Sequence, residues 1–267
     1  MQARTPLLTA LIGSVALVGS VGLMPASATS ATTPVASRLA GPLQFAVGSQ
    51  GALVVAQDFS ATLTVIDGTQ RKNLVTEHGS GAEIAGVAVT DGAIVYTTRH
   101  GSEDSVSSST INVRSAATGG TREVADLLAY EKLHNPDHKY TYGFEDLPAA
   151  CAKQLPPQLG PPTYHGMIDS HAYSVEVTHR GYFVADAGAN DILGVSPSGT
   201  VHTVAVLPPQ PAVVTASGAK ANHLPACTVG TTYRFEAVPT DVEMGNDGNL
   251  YVSTLPGGPE DATLGAR

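Results

Sequence analysis

Three acidic residues hold related places in a phrase that this sequence repeats. "VEVTHRGYFVAD" begins at Val175 and "VEMGNDGNLYVST" at Val242, so Glu176 and Glu243 share one position of the repeat, with Asp241 two residues before Glu243. In an extended strand residues two apart lie on one face, which places Asp241 beside Glu243. Carboxylates gathered in this way offer the oxygen ligands that Ca2+ or another divalent cation takes. Acids that line a water-filled passage can equally stay solvated, with no ligand. Just upstream, Asp169 and His171 are also two apart and are expected at the mouth of the same passage.

Other combinations fail on spacing. His134 and His138 would pair on a helix and suit a metal, but Pro136 lies between them and breaks it, so both read as exposed loop histidines. "GNDGN", from Gly245 to Asn249, resembles a fragment of a calcium loop without the closing bidentate Glu and reads as a hairpin turn. Asp169, Ser170 and His171 cannot form a triad, because three consecutive residues cannot all point at one another. No nucleophile elbow, P-loop or dinucleotide fingerprint occurs.

Short strands must position these side chains. The phrase occurs four times: "FAVGSQGALVVAQ" from Phe45, "VAVTDGAIVYTT" from Val87, and the two stretches above. Each reads as strand, glycine turn, strand, with the turn glycine at Gly51, Gly92, Gly181 and Gly248, where positive φ costs little. Ala46 and Ala88 stand where the later copies have Glu176 and Glu243, so any acidic cluster is confined to one side. The phrase continues in "ATLTVID" from Ala61 and "NDILGVSPSGTVHTVAVL" from Asn190, adding a third and a fourth strand. Four antiparallel strands, repeated, mark the blades of a β-propeller, because one such sheet cannot cover both faces without neighbours. A β-sandwich also has short strands and frequent turns, but it does not require one phrase to recur.

Blades are expected to begin near residues 43, 84, 173 and 239 of a propeller domain over 42–267. Long connections at 126–171 and 208–235 interrupt it, the first with one short amphipathic helix around Leu127 to Leu133, and a Ser-rich hairpin tip covers 102–109. Connections of that length in a compact domain are functional or disordered. Residues 1–28 read as a signal peptide: Arg4 precedes an uncharged run to Ser37, and Ala26, Ser27 and Ala28 give a small-x-small cleavage signal. An uncleaved anchor is the alternative. Cleavage after Ala28 leaves a flexible linker over 29–41 and an exported, extracellular chain with no membrane span. It also removes Arg4, taking the formal net charge from -9 to -10. That balance, without a Lys/Arg cluster, excludes nucleic acid as a partner. A charged fraction of 14%, with 28 Gly, 18 Pro and no Trp, suits short strands and tight turns better than helices.

The two cysteines, Cys151 and Cys227, sit in the settings "LPAAC" and "LPAC" within the long connections. In an oxidising compartment they are expected to form one disulfide that clips those connections together; free thiols or part of a metal site are the alternatives.

"YFVADAGANDIL", "VAVLPPQP", "LPACTVGTTYRFEAVPTDVE" and "LYVSTLPGGPEDATLGAR" resemble the ScyD/ScyE family of exported proteins, over nearly all of the chain after residue 28. That family is similar to the NHL and SMP-30 propellers. The resemblance implies six blades, with no settled activity and no catalytic residues to carry over. In the family the "LGAR" phrase is followed by further strands, so about three and a half of six blades, in an open arc, are expected here. Two functions compete. One is a monomeric extracellular module whose blade-top loops bind a ligand or protein. The other is a metal-dependent, lactonase-like hydrolase of the SMP-30 type, with Glu176, Asp241 and Glu243 holding the ion.

Overall fold

In the computed structural model, strands form where β-branched residues cluster between turn signals. The structure describes residues 34–102 and 105–257; the expected signal peptide, two residues of the Ser-rich tip and the chain from 258 onward lie outside the described residues. β1 (Pro42–Val47), β2 (Leu53–Gln57), β3 (Thr62–Asp67) and β4 (Gln70–Thr76) form an antiparallel sheet in chain order. β5 (Glu83–Val89), β6 (Ala93–Ser102), β7 (Ser105–Ser115) and β8 (Thr121–Asp126) repeat that order.

The first excursion then begins with helix α1 (Leu127–His134). Asp126 caps it by accepting from Ala129 N at 2.8 Å, and left-handed Asn135 ends it ahead of Pro136. β9 (Thr141–Glu145), α2 (Ala149–Ala152) and β10 (Thr163–His165) follow. The third blade is β11 (Ala172–Thr178), β12 (Gly181–Asp186), β13 (Asp191–Val195) and β14 (Val201–Val206). The second excursion carries β15 (Gln210–Val213) and α3 (Ala216–Ala221), and leads into the long β16 (Thr232–Met244) and β17 (Leu250–Gly257).

β16 serves two sheets. Its first residues pair with β15 on one side and β9 on the other, β10 adding to β9, while Glu236 to Met244 pair with β17 as the inner hairpin of a fourth blade. The excursions are therefore folded into a lobe, more ordered than the sequence implied. Their pairings join segments far apart in the chain, which leaves no local periodic signal. β17 runs to Gly257, because Leu255 to Gly257 find partners in Val238 to Glu236.

Each blade packs on the next through one apolar layer. Val54, Leu63, Ile84 and Tyr96 join the first and second blades; Val95, Ile111, Val175 and Leu193 the second and third; Ala185, Ile192 and Val242 the third and fourth. A fully buried Val, Leu or Ile contributes roughly 1.5–3 kcal/mol, so these layers carry the stacking. Gly86 lets β5 approach β11 directly, since a Cβ there would lie 3.1 Å from the backbone of Ser174. The arc is open, yet side chains of the inner strands link up around its axis. Gln44 accepts from Val87 N at 3.2 Å and donates to Asp241 Oδ1 at 2.7 Å, and Ser174 Oγ donates to the same oxygen at 2.6 Å. Of the turn glycines, Gly181 needs its freedom, with φ +136° and a missing Cβ that would meet Val195 O at 2.2 Å. Gly92 does not: its turn keeps negative φ and is held by Thr90 Oγ1, which accepts from Ala93 N at 3.1 Å.

Candidate functional site

The connections between blades and the β2–β3 type turns lie on one face of the propeller. There Ser80, Gly81, Glu83, Arg99, Asp169 and His171 line a pocket of about 610 Å³. Glu83 opens β5 and Arg99 is its cross-strand partner on β6, with Nη1 3.3 Å from Glu83 Oε1 and Nη2 donating to Ser102 O at 3.0 Å. His171, just before β11, places Nε2 2.6 Å from Glu83 Oε2, a close polar contact without the alignment of a good hydrogen bond. Its ring stands edge-on to Tyr173, with centroids 4.4 Å apart. Burial alone would raise the Glu83 carboxyl, but His171 and Arg99 together outweigh it and hold Glu83 below its ordinary value. Asp58, from the first blade, has a pKa of about 6: burial raises it, the Glu83 charge adds to that, and His171 and Arg99 offset part. The pocket thus presents a fixed guanidinium, an ionised carboxylate and an imidazole. That set suits a ligand carrying hydroxyl or carboxylate groups.

Asp169 and His171 both reach this pocket, whereas Ser170 between them is fully buried and donates to Asp186 Oδ2. The alternation along the chain separates the three residues, as their adjacency requires. The three acids of the repeat, Glu176, Asp241 and Glu243, stand elsewhere. Asp241 lies where β1, β11 and β16 converge and accepts from Gln44 and Ser174. Glu176 is half-buried, with Oε2 accepting from Val177 N at 3.1 Å, and Glu243 is exposed. Burial, then the charges of Glu176 and Asp241, raise Glu243, so the three act on one another electrostatically. Val175 and Val242, their neighbours in sequence, are buried between blades. Among the described residues no three His, Cys, Asp or Glu side chains are drawn together in a metal-holding arrangement.

His134 and His138 are exposed and split by the left-handed turn at Asn135; the first stacks on Tyr130 at 4.1 Å and the second packs near His165. "GNDGN" is a hairpin turn in which Gly245 N donates to Asn249 O at 2.8 Å and Asp247 accepts from Asn249 and Tyr251. Cys151 on α2 and Cys227 on a 3-10 turn are bonded, with Cα atoms 5.9 Å apart. The bond clamps the two excursions around a small apolar cavity of about 60 Å³, lined by Phe144, Leu155, Leu159, Leu224, Tyr233 and Phe235.

A group of acids missed in the sequence lies where α1 and its following turn meet the third blade: Glu131, Asp137, Asp186 and Asp191 are all buried. Asp186 shapes the β12–β13 turn, its Oδ1 accepting from the backbone N of His171, Gly188 and Ala189. Asp137 accepts from Tyr142 OH at 3.2 Å and Asn190 Nδ2 at 3.0 Å. The signal was available: "ADAGANDIL" aligns with "AQDFSATLT" of the first blade, Asn190 matching Ala61 in the same left-handed conformation and Asp191 matching Thr62. An acid where the repeat tolerates threonine is not demanded by the blade.

No family model matches the chain, and no curated protein is similar to it. Solved structures are. A protein of unknown function from Bacteroides caccae is 9% identical, with a TM-score of 0.39 over 78% of this chain and 51% of the other. Virginiamycin B lyase from Staphylococcus aureus, solved with quinupristin, is 14% identical, with a TM-score of 0.41 over 80% of this chain and 48% of that one. The PQQ-bound aldose sugar dehydrogenase from Streptomyces coelicolor is 14% identical, with a TM-score of 0.34 over 83% and 76% of the two chains. The chain spans about half the length of the first two.

Proposed function

We propose that this chain is an exported β-propeller of the ScyD/ScyE type that acts as an extracellular binding module, taking a hydroxylated or carboxylated ligand in the pocket of Glu83, Arg99 and His171. The observation that carries the reading is a roomy pocket with both signs of charge among its lining side chains. Its charged groups are seated on paired strands, Glu83 on β5 opposite Arg99 on β6, so little ordering of those two side chains is needed on binding. The disulfide suits an oxidising compartment, and no helix among the described residues is long and apolar enough to cross a membrane. The test is thermal-shift and calorimetric screening of the exported chain against panels of sugars, sugar acids and other small carboxylates. A binder is expected whose effect is lost in Arg99→Ala and Glu83→Gln; no binder across the panels would sink the ligand class.

A second reading, a metal-dependent lactonase-like hydrolase, draws support from the mutual influence of Glu176, Asp241 and Glu243. Against it, Asp241 Oδ1 is already engaged by two donors, Gln44 Nε2 and Ser174 Oγ. Lactone turnover that needs a divalent ion and falls in Glu243→Gln would displace the binding reading.

A further inference from the structure

Buried carboxylates need compensation. Removing an isolated carboxylate from water costs several kcal/mol even after relaxation, so such groups are paired, protonated or bound to a cation. Asp186 and Asp137 are met by donors, as described above. Asp191 is fully buried and neither Oδ1 nor Oδ2 has a hydrogen-bond partner. Glu131, 2% exposed, leaves Oε1 without one, and Asn190, 1% exposed, leaves Oδ1 without one while its Nδ2 serves Asp137.

These groups share one place. Asp191 faces Asp186 across the β12–β13 ladder, Asn190 precedes it in the chain and donates to Asp137, and α1, which carries Glu131, packs Leu127 in one layer with Leu193 of β13. The oppositely charged contacts among the described residues, Arg99–Glu83 and Arg234–Glu145, with His100–Glu77 and His171–Glu83, bring no basic side chain to this group. The Asp191 carboxylate, one oxygen of Glu131 and an amide oxygen fall short of the three-acid cluster that the described residues lack, and are instead an all-oxygen set of the kind hard cations take.

We propose that Asp191, Glu131 and Asn190 bind one Ca2+ ion that bolts α1, and with it the first excursion, onto the third blade. Backbone carbonyls and water complete such a shell in oxygen-ligand sites. The site is distinct from Glu176, Asp241 and Glu243, and its existence does not depend on what the pocket of Glu83, Arg99 and His171 binds.

Calcium alone is the probe. The full exported chain is stripped with a chelator at pH 7.5 and titrated with CaCl2 by calorimetry, and its thermal unfolding is followed with and without saturating CaCl2. One ion per chain is expected, with a rise in unfolding midpoint of about 5 °C or more, as saturating ligand gives for a domain of this size. Asp191→Thr, which copies the residue at the same place in the first blade, and Asp191→Asn should unfold cooperatively and lose the shift. Glu131→Gln should weaken it, and Glu176→Gln with Glu243→Gln should leave it intact. A chain that takes up no Ca2+, Asp191 variants that keep the wild-type shift, or a shift abolished only in the Glu176 and Glu243 double variant would each overturn the proposal.

Discussion

At the scale of single residues, the pocket and the turns make opposite demands on their side chains. Asp58 is held near a pKa of about 6 by burial and by Glu83, above its unfolded value of 3.8. The folded chain therefore binds more protons than the unfolded chain between those values. Stability from protonated Asp58 is present below about pH 4 and lost as pH rises through about 6. Asp58→Asn should match the wild type near pH 4 and exceed it in unfolding midpoint at pH 7–8; a constant difference across that range would show that Asp58 is not the group responsible. Space decides a second case. Gly166 lies against the buried Asp137 carboxylate, 1.9 Å from where a Cβ would sit, while nothing approaches a Cβ at Gly92. Gly166→Ala should cost about 1–3 kcal/mol in denaturant unfolding through overpacking. Gly92→Ala should stay within about 0.5 kcal/mol, as surface substitutions do.

At the scale of elements, what could be read from the sequence follows from what is local. The hairpins around Gly51, Gly92, Gly181 and Gly248 announce themselves because their alternation and their turns lie within a dozen residues. The facing of Asp169 and His171 to one pocket follows from their spacing of two. The lobe was not legible, because β9 meets β16 nearly ninety residues later, a pairing that only the folded chain brings about. The partner of His171 was missed for the same reason: Glu83 belongs to another blade, and nothing within either phrase points to the other. The two cysteines were the exception, since residue type and compartment give long-range information. Their bond closes a loop of 76 residues and contributes about 4 kcal/mol in the chain-entropy model. Because it ties the excursions to each other, Cys151→Ser should open the lobe before the blades. Limited proteolysis is expected to cut first within 146–162 or 214–231 in the variant and in reduced wild type; first cuts within β11 to β14 would contradict this.

At the scale of the whole molecule, the repeat leaves its two end blades unequal to the inner ones. The second and third blades are covered on both faces, and their apolar residues are correspondingly buried. On the first blade, Phe45 and Val47 form a stripe along one face of β1, with Phe45 65% exposed, and on the fourth Tyr251 and Leu255 lie exposed along β17. These positions keep the strand pattern of a blade but have no described layer to pack on, so they contribute little to stability and much to apolar surface. The opposite face of the first blade behaves differently, because Val54 and Leu63 are buried against Ile84 and Tyr96 of the second. Replacing Phe45 and Val47 together by threonine keeps strand propensity while removing exposed apolar area. The double variant should bind markedly less of an environment-sensitive hydrophobic dye and unfold within a degree or two of the wild type. Val54→Thr, by contrast, puts a hydroxyl into the layer between blades and should lower stability by about 1–3 kcal/mol. If the Phe45 and Val47 exchange proved as costly as Val54→Thr, the open face of the first blade would be covered in solution, and the chain would be packing that stripe against a layer of its own or of a second copy.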